Sequence, residues 1–251
     1  MIDQGNKVLR RADECVTVLS EHGPLTAPDL ASHLGIPRPS AYRLASALVH
    51  SGLADQDDAG MISLSTKWLW LGDRALASAA GGVETDDALL QLRDATGLTV
   101  FLALPRAASA VCIRTLHGDS FQILVLKPGG ELSLHLGAVG RVVLAYGPQD
   151  TEAFLQAAPH PPATPHSLVA REELEADVLR SREQGYTVSD EDVTIGVAAI
   201  GVPILDAEGA LIAAVSVAGR REDVLSRRDE IVRELHTCAH RIAERPASAG
   251  A

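Results

Sequence analysis

The 251-residue sequence has no run approaching the ~18–20 apolar residues needed to cross a bilayer. Its start lacks a basic segment followed by an apolar stretch, so a cytoplasmic location with no membrane partner is expected. Only three cysteines occur, Cys15, Cys112 and Cys238, without a CxxC spacing. That pattern excludes a disulfide scaffold and offers no thiolate metal site. GxSxG, HExxH, P-loop and strand-following GxGxxG motifs are all absent, and Cys112 lies in the apolar run "SAVCIRTL", where a thiol packs rather than attacks. No reaction and no cofactor are suggested. A further absence is local: between Asp29 and Asp55 there is no acidic residue, although the formal net charge is -11.

Hydrophobic content of 46% with 22% charged residues is ordinary for a folded chain, and the length suits two domains. Acidity is unevenly spread. Of 22 Lys/Arg and 33 Asp/Glu, seven and nine precede residue 81, leaving 15 and 24 for the remainder. Global charge disfavours non-specific nucleic-acid binding, but recognition depends on the field at one face.

Val8, Ala12, Val16 and Leu19 predict a first helix, stopped by Gly23 and Pro24. Thr26, three residues before Asp29 and with Pro28 in the first turn, resembles a capping box with Asp in place of Glu. The helix it starts has Ala27, Leu30, Ala31 and Leu34 on one face and ends at Gly35. Pro37 and Pro39 confine the start of a third helix, whose stripe is Ala41, Leu44, Ala45 and Leu48. "GLADQDDAGMISLST" then reads as a β-wing, completing a winged helix-turn-helix over 1–65. A linker helix is expected over 66–82, with "GG" at 81 and 82 as its boundary, and a larger domain over 83–246. Residues 247–251 read as a disordered tail.

In the larger domain a helix is expected near 84–95, followed by strands "TVFLALP", "SAVCIRTL" and "FQILVL". Short helices at "GRVVLAYG" and "TEAFLQAA", a proline-rich loop "PHPPATPH" and a helix from Arg171 to Gln184 come next. "VAAIGVPILDAEGALIAAVSVAG" is a hairpin of two β-branched runs, and a final helix covers about 226–244. The fold class is therefore α+β, an antiparallel sheet with helices packed against it.

The third helix turns Arg38, Ser40, Tyr42, Arg43, Ser46 and His50 to its start or its exposed side. Such side chains hold phosphates or read base edges; alone, the helix is equally a solvated face. The turn before it and the wing behind it favour DNA. Pro39 in its first turn and Thr26 at the preceding helix complete the candidate DNA-binding set: Thr26, Arg38, Pro39, Ser40, Tyr42, Arg43 and Ser46. "HLGAVGRVV" frees the backbone at Gly137 and Gly140 before a helix whose first N–H groups can hold a carboxylate, or else it is a tight turn. "VSDEDV" bunches Asp190, Glu191 and Asp192 in what reads as a solvated turn rather than a metal site. His236 and His240 stand one helical turn apart without a third ligand, so exposed histidines are expected there and no metal. Trp68, Leu69, Trp70 and Leu71 read as a buried helix face, possible at a contact between protomers.

Three stretches, "LTAPDLASHLGIPRPSAYRLASALVHSGL", "LHLGAVGRVVLAY" and "GYTVSDEDVTIGVAAIGVPILDAEGALIAAVSVAG", resemble in their order and spacing the isocitrate lyase regulator (IclR) family of bacterial transcription factors. The resemblance implies a winged helix-turn-helix, a linker helix, a GAF-like effector-binding domain, and homodimers or dimers of dimers. It implies that the backbone at Ala138 and Val139, with Ser189, Ala199 and Ser216, faces a small effector, Gly137, Gly140 and Asp190 lying beside them. Family members that bind small keto acids commonly have an acid at Ser189, a cysteine at Ala199 and a serine at Ala218. With fewer polar anchors, this chain is expected to take a bulkier or aromatic carboxylate. The function expected is a DNA-binding transcriptional regulator, a repressor by default, whose affinity for double-stranded operator DNA responds to that effector. The alternatives are a small-molecule enzyme with an accessory helix-turn-helix domain, and an architectural DNA-binding protein without an effector.

Overall fold

The computed structural model describes residues 7–79, 86–119, 126–147 and 151–244, and the chain divides into two compact units between Ala75 and Leu76. The expected Gly81–Gly82 boundary, the run at 121–125 and the tail at 247–251 lie outside the described residues.

Unit 1 contains α1 (Lys7–His22), α2 (Ala27–Leu34), α3 (Arg38–His50), β1 (Ala54–Gln56) and β2 (Ile62–Leu64); α4 (Lys67–Ala79) begins in it. The stripe on α1 is shorter than its periodicity suggests. Val8 is 75% exposed, because the core of Cys15, Leu19, Leu30, Ala45, Leu48 and Ile62 meets α1 only from Ala12 onward. Thr26 caps α2 by accepting the Asp29 N–H at 3.3 Å, while its hydroxyl donates to Asp29 Oδ2 at 2.6 Å. Asp29 thus holds the capping hydroxyl instead of reaching back to the Thr26 backbone. Gly35 ends the helix at φ 59°, a left-handed conformation that a side chain would strain. Thr26→Ala is expected to destabilise the unit by about 1 kcal/mol, and Thr26→Gly by only a few tenths, measured by thermal denaturation.

Ala41, Ala45 and Leu48 bury one side of α3 while Leu44 is half-buried. The β1–β2 turn is held by Asp57 Oδ1, which accepts the Met61 N–H at 2.8 Å, and Leu25 pairs with Ile62 beside it. Trp68 donates its indole N–H to the Leu53 carbonyl at 2.6 Å, fastening α4 to the wing. The expected burial of all four residues 68–71 is not observed: Leu69 is 72% and Trp70 58% exposed in the single chain. Successive helical residues diverge by about 100°, so one partner cannot cover four in a row.

Unit 2 comprises α5 (Asp86–Thr96), β3 (Thr99–Arg106), β4 (Ser109–Leu116), β5 (Glu131–Ser133), α6 (Gly137–Tyr146) and α7 (Thr151–Gln156). Then follow α8 (Arg171–Gln184), β6 (Thr187–Asp190), β7 (Val197–Leu205), β8 (Leu211–Arg220), α9 (Arg221–Ser226) and α10 (Arg228–Ala243). The strands form one antiparallel sheet in the order β5-β4-β3-β8-β7-β6, the α+β arrangement expected. The expected final helix is α10, and the short α9 precedes it as a separate element, because Arg227 between them leaves helical geometry (φ -108°, ψ 21°) and its guanidinium donates to the Thr96 carbonyl at 2.9 Å.

Helices cover both faces of the sheet, and the two faces differ in bulk. Against α5 and α10 stand Val100, Leu102, Ile200, Val202, Val215 and Val217; each such side chain contributes roughly 1.5–3 kcal/mol when fully buried. Toward α6 the same strands present Ala199, Gly201, Ala214, Ser216 and Ala218. Small side chains beneath the start of α6 leave a cavity there.

Candidate functional site

On α3 the residues Arg38, Pro39, Tyr42, Arg43, Ser46 and His50 are exposed, Tyr42 to 55%, and Ser40 is half-buried. The Arg43 guanidinium lies 3.5 Å from Ser40 Oγ, and neither Arg38 nor Arg43 has a carboxylate partner among the described residues. Two arginines without counter-ions at the opening of an exposed helix suit a polyanion. Thr26 sits apart from this face, half-buried, its hydroxyl engaged by Asp29. The wing bears the exposed acids Asp55, Asp57 and Asp58, whereas α3 carries no acid.

The cavity in unit 2, of about 60 Å³, is several times the ~10–15 Å³ that one water requires. It is walled by Phe101, Leu126, Leu132, Val193 and Val197, and brings together the predicted residues Gly137, Ala138, Val139, Ser189, Ala199 and Ser216. Strand register explains the floor. Ser189 lies opposite Ala199 and Ala199 opposite Ala218, while Gly201 opposes Ser216 and Ser216 opposes Phe101 in the adjacent row. Two predicted residues are placed elsewhere. Gly140 is a packing position, where a Cβ would meet the Ser133 carbonyl at 2.5 Å, and Asp190 forms a two-point pair with Arg221 at 2.6 and 2.9 Å on the surface.

The "VSDEDV" segment corrects the expectation of a solvated acidic turn. Thr187–Asp190 is the edge strand β6, and Asp192 is 2% exposed. Asp192 Oδ1 accepts the Ser189 hydroxyl, its Oδ2 accepts the Gly137 N–H at 3.3 Å, and the Arg141 guanidinium stands 3.5 Å away. Arg141, itself 4% exposed, also pairs with Asp177 at 3.2 Å and donates to the Val188 carbonyl. Asp177 has a second partner in Arg180 at 3.1 Å, so two buried acids are matched by two guanidiniums. The first N–H of α6 is thereby taken by the protein's own carboxylate. Ala138 and Val139, whose N–H groups have no intrahelical acceptors at a helix start, line the cavity.

The segment leading into α6 is equally fixed. His135 is buried; its Nε2–H donates to the Pro161 carbonyl at 3.0 Å, so Nδ1 accepts the Ser133 hydroxyl at 2.8 Å. Burial holds this imidazole below its ordinary pKa, and its ring stacks on His160, which stacks on Phe154. The three thiols are buried, and burial raises each, Cys238 to about 12, leaving them protonated and unreactive at neutral pH. His240 faces Glu244 at 3.2 Å while His236 lies beside Gly185; among the described residues no three His, Cys, Asp or Glu side chains converge. No helix among the described residues is long and apolar enough to cross a membrane.

Comparison with known proteins agrees with this geometry. Residues 83–244 match the family described as bacterial transcriptional regulator IclR C-terminal, and residues 9–58 the IclR helix-turn-helix domain. The regulator RhmR of Escherichia coli, described as uncharacterized, is 26% identical over 237 residues, 94% of this chain and 91% of its own. The transcriptional repressor AllR of E. coli is 25% identical, covering 92% and 88%. Among solved structures, IclR of Thermotoga maritima aligns with a TM-score of 0.75 at 22% identity, over 97% of this chain and all of the other. An IclR homologue from Microbacterium hydrocarbonoxydans, in complex with 4-hydroxybenzoate, aligns at 0.79 with 21% identity, over 94% and 98%. With an exposed helix free of acids in the matched helix-turn-helix, and a small-residue cavity in the matched C-terminal domain, the chain belongs to the IclR family of DNA-binding bacterial transcriptional regulators.

Proposed function

We propose that the protein is an operator-binding repressor relieved or reinforced by a small carboxylate with an aromatic or bulky apolar body, held in the cavity beneath α6. The observation that carries this reading is the cavity itself: apolar walls, three hydroxyl-bearing residues (Ser189, Thr194 and Ser216), and a helix start whose Ala138 and Val139 N–H groups suit a carboxylate. The 4-hydroxybenzoate of the Microbacterium homologue is a molecule of that kind. A homodimer or dimer of dimers would present α3 in symmetry-related copies to a pseudo-palindromic operator, half-site spacing following the protein symmetry. Arg38 through Arg43 read or hold the DNA, and ligand shifts operator affinity by no more than its differential affinity for the two arrangements.

The test is an electrophoretic mobility shift with the DNA upstream of the protein's own gene, repeated with aromatic and small aliphatic carboxylates. Sequence-selective retardation that changes with an aromatic acid is expected. Retardation that is unselective and indifferent to every acid would leave an architectural DNA-binding protein instead. Tight calorimetric binding of glyoxylate or pyruvate, with none of aromatic acids, would reverse the assignment of effector size.

A further inference from the structure

The hydrogen-bond directions inside the cavity are not equivalent, and they constrain the ligand beyond its carboxylate. A serine hydroxyl has one proton and two lone pairs, and a carboxylate oxygen can only accept. The Ser189 proton must therefore point at Asp192 Oδ1. Both residues are buried, Ser189 to 4% and Asp192 to 2% exposure, so the bond is made inside the protein and not on its surface. The Arg141 guanidinium and the Gly137 N–H complete the ring of donors around Asp192 and hold it in place. What Ser189 shows to the cavity is an oxygen with lone pairs and no available proton. Ser216 differs: it is 3% exposed on the cavity wall and its hydroxyl has no hydrogen-bond partner among the described residues, so it can turn to donate or accept. The α6 N–H groups can only donate.

We propose that the effector carries, besides its acidic group, a hydroxyl that donates to Ser189, making the cavity selective for hydroxylated acids over their ethers and over the parent acids. The proposal rests on the reading of the cavity as the effector site. Asp192 acts as a positioning residue, fixing the polarity of Ser189 without touching the ligand. An ether oxygen at that place would face the serine lone pairs, and a bare C–H would leave them unpaired. Each is rejected for a reason that a ligand presenting O–H does not meet. Small Ala199 and Ala218 in the same row as Ser189 leave the floor flat enough for a ring or a short branched chain between the two polar ends.

The experiment is isothermal titration of the full-length protein with 4-hydroxybenzoate, 4-methoxybenzoate and benzoate, and with the aliphatic pair 3-hydroxybutyrate and butyrate. In at least one series the hydroxylated acid is expected to bind about 10–100-fold more tightly than its ether or parent. Ser189→Ala, which keeps the strand and removes only the acceptor, should reduce that ratio to near one while the parent acid binds as before. The wild-type ratio needs no variant to fold. Equal binding of hydroxylated and unhydroxylated acids overturns the proposal and leaves the effector site standing. A preference that survives Ser189→Ala overturns it as well, by placing the acceptor elsewhere. Binding of none of the five acids removes both the proposal and the carboxylate reading beneath it.

Discussion

Asp192→Ala is expected to destabilise unit 2 by about 3–5 kcal/mol, the range for removing one partner of a buried ion pair. The magnitude follows from what the carboxylate holds. It balances the charge of Arg141, which is 4% exposed and whose Nε already lacks a hydrogen-bond partner among the described residues, and it accepts from the Gly137 N–H and the Ser189 hydroxyl. Truncation leaves a buried guanidinium with Asp177 as its remaining counter-ion, which Arg180 also claims, and strands two further donors at the cavity wall. Arg180→Ala is the control. Its side chain is 60% exposed, so the pair it forms with Asp177 contributes under about 1 kcal/mol. Denaturant unfolding of the full chain followed by circular dichroism separates the two variants. A loss below about 1 kcal/mol for Asp192→Ala would show that Asp192 is hydrated rather than an ionic strut, since domains of this kind have only about 5–15 kcal/mol in total.

That strut marks the boundary of what one-dimensional pattern reveals. The caps of α2, the left-handed Gly35, the prolines that open α3 and the hairpin of β7 and β8 all follow local rules, and local rules are visible in sequence. Asp192 is different: Arg141 precedes it by 51 positions and Asp177 by 15, so three acids in a row look solvated until the sheet brings the guanidinium to them. Burial of β6 was hidden by the same acids. β5 is only three residues and owes its existence to pairing with β4, not to its own propensity. The cavity did leave a mark. In "AIGV" from Ala199 and "AVSVA" from Ala214, small and β-branched residues alternate, assigning the bulky set to the α5–α10 face and the small set to α6. The family resemblance places Asp190 beside the effector, but alternate residues of β6 face opposite ways, so Ser189 enters the cavity while Asp190 meets Arg221.

Arg43→Ala is expected to weaken operator binding by on the order of 10²–10³-fold. One bidentate arginine–guanine contact is worth ~1–3 kcal/mol, and a two-fold assembly loses it at both half-sites. The variant isolates recognition from folding. Arg43 is exposed, its one side-chain polar contact among the described residues is a 3.5 Å approach to Ser40, and alanine favours the helix. The salt dependence tells which role the side chain plays. If Arg43 reads a base, the loss is confined to the operator and binding to unrelated DNA persists. If it holds a phosphate, affinity falls alike on every sequence and the log–log salt slope drops by about one per copy. Arg38, one turn nearer the α3 N-terminus and likewise without a carboxylate partner among the described residues, provides the comparison within the same helix. Undiminished operator affinity in Arg43→Ala would remove the first two turns of α3 from the recognition surface. The acid-free stretch between Asp29 and Asp55 would then be a feature of solvation and not of DNA.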